Sequence, residues 1–117
     1  MVSNIRHGNV MLLVDLSRRK LIGIAILMRD WDDLKKCYLA DFGIKETYRG
    51  KGLGTYFLRA VLDEVRRQRF KTISLTVDIN NPVAIHLYQK HGFRIVEEKH
   101  NLYGEGRHRY IMEKVFD

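Results

Sequence analysis

A glycine-punctuated stretch, Tyr48-Arg49-Gly50-Lys51-Gly52-Leu53-Gly54-Thr55, separates an apolar run from an amphipathic segment and limits the folds open to this chain. Downstream, Leu53, Phe57, Val61 and Val65 recur every four residues with Leu58 and Leu62 beside them, while Arg59, Asp63, Arg66 and Arg67 fall elsewhere. That spacing predicts a helix with one buried face, with Asp63 and Arg67 placed for an i,i+4 ion pair. Upstream, Cys37 to Lys45 reads as a strand, with Leu39, Phe42 and Ile44 around Asp41. A strand, a glycine-rich turn and a helix start form a device for holding anions. The first helical turn has unpaired N–H groups, the helix dipole adds partial positive charge, and glycines admit close approach of the backbone. Arg49 and Lys51 can add side-chain charge. The stretch is not a P-loop, because no Gly-Lys-Ser/Thr occurs, and Thr55 stands where the dinucleotide fingerprint needs a third glycine.

The rest of the chain alternates strand and helix signals. Asn9 to Leu16 and Leu21 to Asp30 are apolar runs joined by Ser17-Arg18-Arg19-Lys20, the pattern of a β-hairpin. Trp31 to Lys36 reads as a loop. Lys71 to Asp78 alternates Ile73, Leu75 and Val77 with Thr72, Ser74 and Thr76, which predicts a strand. Asn81-Pro82 marks a helix start, with a capping side chain before a proline suited to the first helical position. The helix runs to about His91 and stops at Gly92, and Phe93 to Tyr103 and Arg107 to Phe116 follow as two strands turned by Gly104-Glu105-Gly106. The order β-β-β-α-β-α-β-β favours an α/β (α+β) fold in which a mixed sheet carries both helices.

Within the second helix, Ala84, Ile85 and Tyr88 share one face, so Tyr88 points inward beside a small residue. A buried tyrosine needs a partner for its hydroxyl. His86 and His91 fall on different sides of that helix and cannot share a metal, whereas His100 and His108 can face each other across the last hairpin as a surface pair rather than a zinc site. No metal is implied.

With 117 residues, 45% of them hydrophobic, positions 1–117 read as one globular domain. The longest apolar stretch, Leu21 to Met28, is too short to span a bilayer, and the N-terminus lacks the apolar core of a signal peptide. Cys37 is the sole cysteine, which rules out an intramolecular disulfide. These features favour a cytoplasmic location. The net charge of +7 attracts polyanions, nucleic acid or a phosphate-bearing cofactor among them. The charges are scattered, however, with the densest clusters at Arg18-Arg19-Lys20 and Arg66-Arg67-Gln68-Arg69, which makes a nucleic-acid partner the minor alternative.

Arg49-Gly50-Lys51-Gly52-Leu53-Gly54 resembles the pyrophosphate motif Q/R-x-x-G-x-G/A of the GNAT superfamily of acetyl-CoA-dependent N-acetyltransferases. The segment Asn81 to Phe93 is similar to a second GNAT signature: an Asn, an Ala three residues on, a Tyr four beyond that, then Gly-Phe. In this second motif the chain resembles most the branch that acetylates ribosomal-protein N-termini. The likeness runs from about Asn9 to Phe116.

The resemblance implies a mostly antiparallel sheet with two helices, and acetyl-CoA as cosubstrate. It assigns the CoA pyrophosphate to the backbone of Arg49, Gly50, Lys51, Gly52, Leu53, Gly54 and Thr55. The pantetheine arm would run along Phe42, Gly43 and Ile44, where the family's strand splays from its neighbour at a bulge. Asn81 is expected to cap its helix and contact CoA. The Ile44 N–H is expected to hold the thioester carbonyl as negative charge develops on it. Tyr88 is the expected catalytic residue, its phenol near pKa 10 protonating a leaving thiolate near 8.5. The acceptor is a primary amine: a protein N-terminus, a lysine or a small amine.

The match departs from the family in two places. Tyr38 and Thr76 occupy positions where some members carry a glutamate base, which leaves Asp41 and Asp78 as replacements, or no base if the amine arrives neutral. Only about eight residues precede the first hairpin, where the family usually has a strand and two helices. Val10 to Leu16 would then be an uncovered apolar edge, which predicts a homodimer. Tyr103, Tyr110 and Glu105 are placed to touch the acceptor, and Cys37 is a minor nucleophile candidate. A CoA-binding module or partner subunit without catalysis is the alternative function, and a nucleic-acid-binding domain the second.

Overall fold

The computed structural model describes residues 1–116. Its strands are β1 (Val2–His7), β2 (Val10–Asp15), β3 (Lys20–Arg29), β4 (Lys36–Ile44), β5 (Thr72–Asp78), β6 (Arg94–Lys99) and β7 (Arg109–Val115), and its α-helices are α1 (Leu53–Arg67) and α2 (Pro82–Lys90). All seven strands form one sheet in the order β1-β2-β3-β4-β5-β7-β6. Every neighbouring pair is antiparallel except β4 and β5. The expected mixed, mostly antiparallel sheet with two helices is therefore the fold observed.

One strand more is present than the periodicity predicts. Val2 to His7 pairs with β2 along its length, from Val2 opposite Asp15 to His7 opposite Val10. The edge expected to lie bare at Val10 to Leu16 is thus closed by the chain itself, and the argument for a homodimer that rested on that edge falls. The sequence hid β1 because Ser3, Asn4, Arg6 and His7 interrupt its apolar residues, as suits an edge strand open to water. The last hairpin is shorter than expected: β6 ends at Lys99, and residues 100–108 form an irregular loop.

Both helices pack on one face of the sheet. Phe57, Leu58, Val61 and Val65 of α1 are buried against Met11, Leu13, Ala25, Leu39 and Ile73, which follows from the four-residue recurrence of the sequence. The predicted Asp63–Arg67 pair gives way to a different one: Arg67 and Gln68 both bind the buried Glu64, which Arg6 of β1 also approaches at 3.4 Å. Glu64 thereby ties α1 to the N-terminal strand. On the opposite face of β1 to β3, Ile5 and Met28 are exposed beside half-buried Leu12, Ile24 and Ile26.

A split in the sheet positions the site. In β4, Leu39 lies opposite Leu27 and Asp41 opposite Ile26, so Ala40 is an extra residue that bulges the strand. Parallel pairing with β5 covers only Lys36–Thr72, Cys37–Ile73 and Tyr38–Ser74. Beyond Tyr38 the two strands part. Gly23 in β3 permits the close approach there, because a Cβ at that position would stand 2.7 Å from the Gly43 carbonyl oxygen and 2.8 Å from Ile44 Cδ1.

Candidate active site

The released half of β4 turns an unpaired backbone edge toward the split. Lys45 N–H donates to Ile22 O across β3 at 2.7 Å. Strand alternation then points the N–H and C=O of Ile44, and likewise of Phe42, the other way. Arg49 Nε takes up the Ile44 carbonyl at 3.0 Å. Arg49 therefore fastens the loop to the end of β4, in addition to supplying charge. The N–H groups on this edge remain available to an extended ligand, much as a missing strand would use them.

The glycine loop follows. Gly50 and Gly52 have φ of 78° and 76°, a region that L side chains rarely enter, and Gly52 is the residue preceding the first turn of α1. No side chain among the described residues caps that helix, and the first intrahelical bond is Tyr56 N–H to Gly52 O at 3.1 Å. The N–H groups of Leu53, Gly54 and Thr55 are left pointing out of the helix start, an anion site made of backbone.

These parts converge with α2 on a groove of about 620 Å³. Its walls bring together Phe42, Gly43, Ile44, Arg49, Gly50, Gly52, Gly54, Thr55, Asn81 and Tyr88, all singled out from the sequence. Lys51 and Leu53 do not line it: the Lys51 ammonium sits 5.8 Å over the Tyr48 ring, and Leu53 packs against the core. Val83, Ala84 and Leu87 complete the wall. Their signal was their position, one turn and less from Asn81 and Tyr88 on the same short helix. Asn81 Oδ1 accepts the Ala84 N–H at 3.2 Å, the predicted cap. The glycines, the free backbone edge and the helix start fit a long ligand with a phosphate-bearing end and an extended arm.

At the inner end of the groove the Tyr88 ring is buried against Phe93 and Phe42, at centroid distances of 5.6 Å and 6.3 Å. Its hydroxyl has no hydrogen-bond partner among the described residues and is not sealed from the groove. Burial first, and the Asp41 carboxylate second, push the phenol up to about 12, partly offset by the Arg109 guanidinium. The phenol is therefore a weaker acid than the ordinary value used above. A phenol held this high gives up its proton reluctantly. Tyr88 is suited instead to donate a hydrogen bond to developing negative charge while keeping its proton.

Across the split, on the face away from the helices, a polar cluster was not legible as a unit. Tyr38 Oη and Thr76 Oγ1 lie 3.5 Å apart, and Tyr103 Oη stands 3.4 Å from the same Thr76 oxygen. Arg109 Nη2 donates to Thr76 O at 3.1 Å and to its Oγ1 at 3.4 Å, with the guanidinium 5.1 Å over the Tyr103 ring. Burial raises the Tyr38 phenol, while hydrogen bonds from Thr76 and Tyr38 lower that of Tyr103. Of the expected acceptor residues, then, Tyr103 joins this cluster. Tyr110 packs against the core and Glu105 lies in an exposed turn. His100 and His108 face each other as expected, with their Nδ1 atoms 3.2 Å apart, and help hold the loop that carries Tyr103.

The two replacement bases differ. Asp78 accepts the Asn80 N–H at 2.8 Å and so shapes a turn. Asp41 makes no hydrogen bond among the described residues and lies close enough to Tyr88 to shift it. Cys37 is buried at the start of β4, and burial pushes its thiol up to about 11, which makes it a poor nucleophile. It adjoins a second cavity of about 520 Å³ at the far end of α1, where Glu64 is already bound by Arg6, Arg67 and Gln68. No group of three or more His, Cys, Asp or Glu side chains among the described residues could hold a metal, and no helix is long and apolar enough to cross a membrane.

Comparison with known families decides what kind of protein carries this groove. The profile of the Acetyltransferase (GNAT) family matches residues 3–93. The chain belongs to the GNAT acetyltransferase family. Within the family it is similar to N-alpha-acetyltransferase 50 of zebrafish (Danio rerio), 41% identical over 70 residues, which is 59% of this chain and 42% of that relative. The matched part thus spans less than half of the relative. Among solved structures, Arabidopsis thaliana Naa50 in complex with the bisubstrate analogue CoA-Ac-MVNAL superposes with a TM-score of 0.80 at 30% identity, covering 92% of this chain and 72% of that one. Ard1 from Thermoplasma volcanium shares the fold, with a TM-score of 0.84 at 23% identity over 93% of this chain and 71% of that one.

Proposed function

We propose that this GNAT domain transfers an acetyl group from acetyl-CoA to a primary amine at a protein N-terminus. The observation that carries the reading is the convergence of the glycine loop, the free β4 edge and Tyr88 on one groove, beside the place where β4 and β5 part. CoA lies in the groove, with its pyrophosphate on the N–H groups of Gly50 to Thr55 and its pantetheine along Phe42 to Ile44, and Asn81 at its side. The amine enters from the opposite face, past Tyr38 and Tyr103. Its nitrogen attacks the thioester carbonyl, a C–N bond forms, and the C–S bond breaks. The Ile44 N–H holds the carbonyl oxygen as charge develops, and Tyr88 donates to the departing sulfur. The amine's proton passes to water beside Asp41.

The choice of a protein N-terminus over a lysine or a small amine is supported by the likeness to the zebrafish and Arabidopsis relatives, the second of which carries a peptide in its bisubstrate analogue. A cytoplasmic location fits such an acceptor. With β1 closing the sheet edge, the homodimer reading now rests on the open face around Ile5 and Met28. Turnover of acetyl-CoA against a panel of peptides, lysine side chains and polyamines tests the function. Release of free CoA only with peptides bearing a free N-terminus is the expected result, and CoA binding without release for any amine would replace it with a non-catalytic CoA-binding module.

A further inference from the structure

Arg109 opens β7, opposite Asp78 of β5 in the antiparallel ladder. Sequence periodicity gives it no distinction. In the fold it is a half-buried cation without a counterion: no carboxylate lies within ion-pair distance of it among the described residues. Asp78, its partner in register, spends its carboxylate on the Asn80 N–H. Among the described residues the guanidinium meets only neutral groups, namely the Thr76 carbonyl and hydroxyl and the face of Tyr103. Its Nε–H is buried and has no hydrogen-bond partner among the described residues. Orphaned buried donors are rare, and a partly buried charge is costly unless an opposite charge meets it.

The place of this cation gives the deficit a meaning. Arg109 stands on the acceptor side of the split, bound to Thr76 just beyond the last β4–β5 pair at Tyr38–Ser74. Its charge also bears on the hydroxyls of Tyr38, Tyr88 and Tyr103, from both faces of the sheet. On the proposed route from the acceptor side, a primary amine approaches Tyr88 beside this guanidinium.

We infer that Arg109 selects the acceptor: the preferred amine carries a carboxylate close to its nitrogen, and that carboxylate is the counterion Arg109 lacks. The inference rests on the proposed acetyl transfer for the place of the amine, but it is a statement about binding. A planar guanidinium with free N–H groups suits a carboxylate in two-point contact. Two sources share this chemistry, a peptide whose second residue is acidic and a free α-amino acid. Arg109 is thus a positioning and specificity residue, and it takes no part in bond making.

Calorimetry on the CoA-saturated protein tests this with four ligands: C-terminally amidated pentapeptides beginning Met-Asp or Met-Asn, free methionine and methioninamide. The wild type should bind the Met-Asp peptide about 10- to 100-fold more tightly than the Met-Asn peptide, as a charge-assisted hydrogen bond warrants. Arg109→Gln should erase that ratio while leaving affinity for the Met-Asn peptide within about threefold, and Arg109→Lys should retain part of it. A preference for methionine over methioninamide, without one between the peptides, would assign the carboxylate to a free amino acid. Equal affinities within both pairs, no binding by any of the four, or a ratio that survives in Arg109→Gln would overturn the inference. Thermal melts identify a variant that fails to fold, in which case the Lys variant decides. Acetyl transfer by the same ligands is scored separately, so a retained preference without turnover would sink the proposed activity and leave the Arg109 assignment standing.

Discussion

Replacing Tyr88 by Phe separates catalysis from packing more cleanly than any other change in this site. The ring stays, and with it the edge contacts to Phe93 at 5.6 Å and Phe42 at 6.3 Å. The lost hydroxyl has no hydrogen-bond partner among the described residues, so no buried group is orphaned and the fold should be unaffected. On the proposed mechanism, what disappears is a hydrogen bond to negative charge on sulfur, an interaction made in the transition state. Such a bond to a charged partner contributes about 1.5–3 kcal/mol, which predicts a fall in kcat of about 10- to 150-fold. Acetyl-CoA affinity should stay within about twofold, because the neutral thioester sulfur is a weak acceptor. The sign of the pH dependence follows from the raised phenol. A group held at about 12 keeps its proton across the working range, so wild-type kcat should show no loss from Tyr88 ionisation below about pH 11. Detection of released CoA thiol gives kcat, calorimetry gives the affinity, and a thermal melt checks the fold. A Phe variant that turns over at the wild-type rate would refute the role and leave Tyr88 as a core aromatic.

Three further outcomes are expected. Gly52→Asp forces a side chain into φ of 76° and places negative charge at the start of α1, so calorimetry should show CoA affinity reduced at least about tenfold in a folded protein. Gly23→Ala drives a Cβ to 2.7 Å from the Gly43 carbonyl oxygen, which backbone movement alone can relieve; chemical denaturation should show a loss of about 1–3 kcal/mol, accompanied by weaker CoA binding as the end of β4 shifts. Light scattering at micromolar concentration should give twice the 13.8 kDa chain mass, reduced to a monomer by Ile5→Lys with Met28→Lys, and a wild-type monomer would end the dimer reading.

What could be read from the sequence follows physical lines. The groove was legible because each of its parts has a local signature: glycines at positive φ, a capped helix behind Asn81-Pro82, and a helical face carrying Tyr88. Ten of the residues so chosen meet in one cavity. β1 was not legible, because an edge strand facing water need not alternate, and its register comes from Gly8-Asn9 and the ladder to β2. The polar cluster was hidden for another reason. Tyr38, Thr76, Tyr103 and Arg109 come from four separate parts of the chain and meet only where β4 and β5 diverge. The shift of Tyr88 to about 12 likewise needed its burial and the neighbouring Asp41, neither of which a motif records.

The parallel seam between β4 and β5 amounts to three residue pairs. It divides the sheet into a leading meander, β1 to β4, and a trailing unit, β5 with β7 and β6. Short hairpin loops close the leading meander at small entropic cost, so it can form early, whereas the seam must wait for α1 to bridge it. In the trailing unit, β5 gains its second neighbour only when β7 arrives near the end of the chain. The two units should therefore open against each other as separate cooperative blocks under native conditions. The seam amides would then exchange with solvent sooner than those between β2 and β3, and the break would run through the ground assigned to both substrates in the proposed reaction. Ligands that bridge the seam would act as its staples, protecting against hydrogen exchange across the whole sheet rather than at their contacts alone.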